Sequence, residues 1–159
     1  MIKLQRIGHI LINVRDIERS KAFYTNVLGF KVLEQDPEHG GVFLSIGEYG
    51  NTLDIFPSSD PDAYPQPKAG VGSREGLGMK HIAFAVETEE DLRKAYFALK
   101  GAGVPIHRAI NHTSQKSIYF YDPDDNLLEI VWEQPNVHEI FRQGRGDNDA
   151  PLTFEGSGL

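Results

Sequence analysis

The chain resembles itself, and this limits its fold more than any other feature. Ile7-Gly8-His9-Ile10-Leu11-Ile12-Asn13-Val14 and Met79-Lys80-His81-Ile82-Ala83-Phe84-Ala85-Val86 each read as a strand opened by a His and followed by an amphipathic helix. Later in each half, Asn51-Thr52-Leu53-Asp54-Ile55-Phe56 is answered by Asn126-Leu127-Leu128-Glu129-Ile130-Val131, with a carboxylate fourth in an otherwise apolar strand. The His pair is 72 residues apart (81 − 9) and the carboxylates 75 (129 − 54). A period of that size exceeds solenoid units and points to two copies of one supersecondary module.

Each copy reads β-α-β-β-β. In the first, Asp16 caps a helix expected over 17–28, with Phe23/Val27 and Tyr24/Leu28 as i,i+4 pairs and Gly29 closing it. Strands are expected near 31–35, 42–46 and 52–56. In the second, Thr88-Glu89-Glu90-Asp91 has capping-box spacing, and Leu92, Ala95, Tyr96 and Leu99 form one helical stripe ending at Gly101. Strands follow near 105–110, 117–121 and 127–132, the last two separated by the turn-forming Asp122-Pro123-Asp124-Asp125-Asn126. The expected organisation is one domain over 1–159: module 1 at about 5–57, a Pro/Gly-rich linker at 58–77, module 2 at about 78–133, and a tail at 134–159 with a short helix around 137–142. The fold class is α+β, two paired βαβββ modules forming a cupped mixed sheet with helices outside.

Strand alternation decides which side chains share a face. Ile10, Ile12 and Val14 oppose His9, Leu11 and Asn13, and Ile82, Phe84 and Val86 oppose His81, Ala83 and Ala85. The bulkier set covers the helix, so the other face carries a His at its rim and smaller residues beyond it. Glu129 is apolar-flanked on both sides at one and two residues, which predicts burial on both faces of its strand. A buried carboxylate must be neutralised or find a cation. Two His and one Glu at corresponding places of duplicated modules make a set that leaves three positions open on an octahedral metal. It suits Fe(II), with Mn(II), Co(II), Ni(II) and Zn(II) as competitors.

Composition narrows the partners. The net charge is −7, from 16 Lys+Arg against 23 Asp+Glu, which argues against nucleic acid or a membrane surface. Cysteine is absent, which excludes thiol catalysis, disulfides and Cys-based metal sites. No stretch has the run of about 18 apolar residues that a spanning helix needs, and no apolar signal core opens the chain; a cytoplasmic location is expected.

Phe23-Tyr24 with Val27-Leu28-Gly29-Phe30, and the Asp122–Asn126 turn followed by Glu129, resemble the vicinal oxygen chelate superfamily, over roughly residues 7–133. That group includes glyoxalase I, epimerases, fosfomycin and bleomycin resistance proteins and extradiol ring-cleaving dioxygenases. In this chain Asp125 stands where the family usually has Gly. The spacing of His112-Thr113, Phe120-Tyr121 and Glu129 is similar to that of extradiol dioxygenases. The resemblance implies Fe(II) held by His9, His81 and Glu129, with His112 bonding the oxygen-derived group or substrate and Tyr121 contacting a catecholate oxygen. It also implies a small-molecule substrate that chelates through adjacent oxygens, and a homodimer. Asn51 stands where these dioxygenases commonly place another His; an amide there orients a ligand but accepts no proton. Asp54 falls where glyoxalase I and the epimerases carry a ligand, and as a fourth ligand it would leave no room for a catecholate plus O2. A glyoxalase-type lyase or epimerase, and a non-catalytic binding or resistance protein, therefore stay open as alternatives.

Overall fold

The computed structural model describes residues 2–47, 50–62, 78–144 and 148–155. Most of the expected linker, 63–77, lies outside the described residues. The chain divides into two compact units, Met1–Pro65 and Gln66–Leu159.

The first unit runs β1 (Ile10–Val14), α1 (Ile17–Ala22), β2 (Lys31–Gln35), β3 (Val42–Ser45) and β4 (Leu53–Pro57). The sheet order is β1-β4-β3-β2, with β1 parallel to β4 and the other neighbours antiparallel. Asp16 caps α1 as expected, its side chain accepting the Arg19 N–H. The helix does not stay α-helical to residue 28. At Phe23–Val27 it widens into a π-turn in which the Leu28 N–H reaches the Phe23 carbonyl at 3.3 Å. The widened turn seats Tyr24, fully buried, edge-on to both Phe23 (5.3 Å between centroids) and Phe30 (5.7 Å). Gly29 then reverses the chain at φ +77°, a conformation that favours Gly. Val14, Val42, Leu44, Leu53 and Ile55 are buried, and β4 packs against α1. Each such side chain contributes about 1.5–3 kcal/mol by leaving water.

The second unit runs β5 (Ile82–Ala85), α2 (Glu89–Gly101), β6 (Ile106–Asn111), β7 (Gln115–Tyr121), β8 (Leu127–Glu133), α3 (Val137–Gln143) and β9 (Ala150–Pro151). Its sheet order is β5-β8-β7-β6-β9, with β5 parallel to β8. Thr88 caps α2 as expected, accepting the Asp91 N–H at 3.0 Å, but the Asp91 carboxylate takes the Thr88 hydroxyl at 2.6 Å instead of the backbone N–H that would complete the box. Leu92 and Leu99, from the expected stripe, are buried, and α2 covers β6, β7 and β8. The tail yields the expected short helix, and it also adds a fifth strand at the β6 edge. Both units are mixed α+β, and each repeats the same β-α-β-β-β order with the first and last strands parallel. Among the described residues no helix is long and apolar enough to cross a membrane.

Candidate metal centre

Parallel pairing sets a His and a carboxylate in the same register in both units. Leu11 lies opposite Asp54, and Ala83 lies opposite Glu129. His9 and His81 each precede those partners by two residues, so alternation puts each imidazole on the face of its own carboxylate. His9 Nε2 is 3.7 Å from Asp54 Oδ2, and His81 Nε2 is 2.9 Å from Glu129 Oε2. Both carboxylates are 2% exposed, Glu129 as its apolar neighbours predict, while both imidazoles reach solvent at the rim. The helix-averse face is open, with Leu11 and Asn13 exposed in one unit and Ala83 and Ala85 in the other.

The two halves then diverge. Asn51 Nδ2 donates to both Asp54 oxygens, at 2.7 and 2.8 Å. Asn126, which stands three residues before Glu129 as Asn51 does before Asp54, turns to Asp122 instead. Its Nδ2 donates to Asp122 Oδ2 at 2.9 Å and its backbone N–H to Oδ1 at 2.8 Å. Glu129 Oε1 is left buried, without a hydrogen-bond partner among the described residues. An unmet buried acceptor costs about 1–3 kcal/mol, and more when charged. A divalent cation fits that need, and neutral imidazole nitrogens beside a carboxylate oxygen suit Fe(II), Mn(II), Co(II), Ni(II) or Zn(II). Among the described residues no group of three His, Asp or Glu side chains is placed to hold a metal ion; what stands on this face is the pair His9–Asp54 in one unit and the pair His81–Glu129 in the other.

The strand next to Glu129 carries a residue that sequence reasoning did not single out. Tyr119 lies opposite Glu129, at the place that Phe43 takes opposite Asp54. Its ring stands edge-on to His81 (5.7 Å between centroids) and to His112 (6.2 Å), and its hydroxyl is 3.1 Å from His112 Nε2. Burial first, then the Glu129 charge, push the Tyr119 hydroxyl well above the usual tyrosine range, which keeps it a protonated donor. His112 is buried directly after β6, and its Nδ1 is 2.8 Å from Asp149 Oδ1. Tyr121, expected to contact a catecholate oxygen, sits one alternation further along the same face, half-buried, with its ring 5.3 Å from that of His107. The signal that finds Tyr119 is the duplication itself, carried one strand beyond the carboxylate.

Residues 6–130 match the glyoxalase/bleomycin resistance protein/dioxygenase superfamily. The chain is 33% identical over 133 residues to the uncharacterized protein YwkD of Bacillus subtilis, covering 80% of this chain and 96% of that one. It is 27% identical to catechol-2,3-dioxygenase of the same organism, covering 81% of this chain but only 42% of the dioxygenase. It is 31% identical to the metallothiol transferase FosB of Lysinibacillus sphaericus, covering 80% and 82%.

Proposed function

Because the chain belongs to the glyoxalase/bleomycin resistance protein/dioxygenase superfamily, we propose that it is a mononuclear metalloenzyme, an extradiol-type ring-cleaving dioxygenase of a catechol-like aromatic, with His9, His81 and Glu129 holding one Fe(II). The contact that most supports this reading is His112 Nε2 to Tyr119 OH at 3.1 Å, on the face and in the register of Glu129. It sets a base and a hydroxyl donor beside the acid that binds the ion. The likeness to catechol-2,3-dioxygenase supports it as well.

An Fe(II) ion held by His9, His81 and Glu129 would supply Lewis acidity toward a catechol and reactivity toward O2. The chain's own groups handle protons. A proton leaving a catechol hydroxyl passes to the Tyr119 oxygen as Tyr119 hands its own to His112 Nε2, and returns as the product forms. Both atoms of O2 enter the product, and the ring C–C bond beside one hydroxyl breaks. Ala83 and Ala85 present no bulk on this face, and Tyr121 offers an aromatic wall to a flat ring. Asn51 occupies both oxygens of Asp54, which favours three protein ligands over four.

A glyoxalase-type lyase or epimerase is the second reading, favoured by the 3.7 Å approach of Asp54 to His9, which would let Asp54 serve as a fourth ligand. Anaerobic loading with Fe(II), then catechol, then O2 separates the two. The dioxygenase consumes O2 and forms a yellow ring-cleavage product. No uptake and no product across a broad panel of catechols overturns that reading, and O2-independent turnover of an α-keto thiohemiacetal establishes the second.

A further inference from the structure

We propose that the C-terminal strand is a working part of this site: Asp149 is a positioning residue that holds the His112 imidazole with its proton on Nδ1 and its lone pair on Nε2, facing Tyr119. The inference rests on the reading of His112 as the base, and it adds a segment that lies beyond the duplicated modules.

A carboxylate only accepts hydrogen bonds, so the 2.8 Å contact between Asp149 Oδ1 and His112 Nδ1 places the hydrogen on Nδ1. The neutral ring must then accept at Nε2, where the Tyr119 hydroxyl stands ready to donate at 3.1 Å. With the opposite tautomer Nε2 would carry the hydrogen and could take no proton. The carboxylate also steadies the imidazolium that forms when a proton arrives.

Asp149 is delivered by construction. β9 begins at the next residue and pairs antiparallel with β6, Asn111 opposite Ala150 and Ile110 opposite Pro151. A two-residue strand is a weak attachment, and three further contacts pin the segment. The Leu152 N–H donates to the Ala109 carbonyl at 3.0 Å, the Phe154 ring lies 4.8 Å from that of Tyr96, and Arg93 donates to the Glu155 carbonyl at 3.2 Å. The backbone beneath His112 is equally determined. Its N–H donates to the Gln115 carbonyl at 2.8 Å, and Thr113 turns the chain at φ +67°. A β-branched residue held in that region is strained, and such strain persists only where neighbouring contacts over-determine it. The turn places the ring, and Asp149 sets its proton.

The test is the ¹⁵N spectrum of the histidine rings of the full chain, recorded with diamagnetic Zn(II) added, with His112→Gln identifying the His112 signals. Wild type is expected to show Nδ1–H and an unprotonated Nε2. Asp149→Asn, whose amide can donate to Nδ1, is expected to move the population toward Nε2–H, and Asp149→Glu to restore the original pattern in part. In catechol turnover Asp149→Asn should lower kcat about 10- to 100-fold with KM little changed. An unchanged His112 tautomer in both Asp149→Asn and Asp149→Ala overturns the proposal. A tautomer that moves in a protein with no ring-cleaving activity supports the positioning role, and in that case only the dioxygenase reading has failed.

Discussion

At the scale of single residues, the two buried acids differ in what already holds them. Asp54 has both oxygens on Asn51, whereas Glu129 keeps one oxygen without a hydrogen-bond partner among the described residues. Glu129→Gln should therefore abolish stoichiometric Fe(II) uptake, while Asp54→Asn should leave one ion per chain, as read by metal analysis after gel filtration. Loss of the ion in both variants would favour the four-ligand lyase. His112→Ala should leave Fe(II) bound and cut kcat for ring cleavage about 10²- to 10⁴-fold, the usual contribution of a positioned proton acceptor. The recurrence of a His and a carboxylate in each half was legible in the residues, because a polar group at a fixed place in two apolar strands has few structural uses. Tyr119 was not: it is one aromatic among six in the chain's tyrosines, and only the cross-strand register sets it opposite Glu129.

At the scale of elements, capping and turn chemistry were readable because they depend on contacts a few residues apart. In the β7–β8 turn, Asp122 Oδ1 accepts the N–H groups of Asp124 (2.9 Å) and Asn126 (2.8 Å). Asp125 sits at φ +64°, the conformation that explains why Gly is the usual residue there. Asp125→Gly should raise stability by about 1 kcal/mol, offset in part by the freer unfolded chain, as measured by urea denaturation. At the start of α2, the Thr88 hydroxyl bond holds the Asp91 carboxyl below its ordinary value of 3.8. The folded value lies below the unfolded one, so this contribution is present above 3.8 and is lost as pH falls through the lowered value. The denaturation midpoint of the wild type should accordingly drop more steeply in acid than that of Asp91→Asn. The π-turn at Phe23–Val27 was not legible, since an α-helix and a π-turn bury the same aromatic stripe and only the demands of packing Tyr24 separate them.

At the scale of the whole molecule, an ion bound by His9, His81 and Glu129 as proposed would be seen in the stability of the fold. At a hundredfold excess of free metal over its Kd, the ion should stabilise the fold by about 2.7 kcal/mol, equivalent to a rise of roughly 5–10 °C in Tm for a chain of this size. His9→Ala and Glu129→Gln should each abolish the whole rise in a thermal melt, although they alter different units. A half-sized rise in either variant would mean that the two pairs bind metal separately.

The amino-acid sequence by itself determined the duplication, the order of strands and helices, and the recurrence of a His and an acid at matching places in each module. Hydrophobic alternation and local capping encode these within a few residues, so no distant contact is needed to read them. Tertiary structure decided the rest: which acid is already satisfied, that Tyr119 rather than Tyr121 meets His112, and that Asp149 reaches back across 37 positions to do so. Those choices turn on strand register and on where the tail docks. Register and docking are properties of the assembled sheet, set by side chains far apart along the chain that no local pattern records.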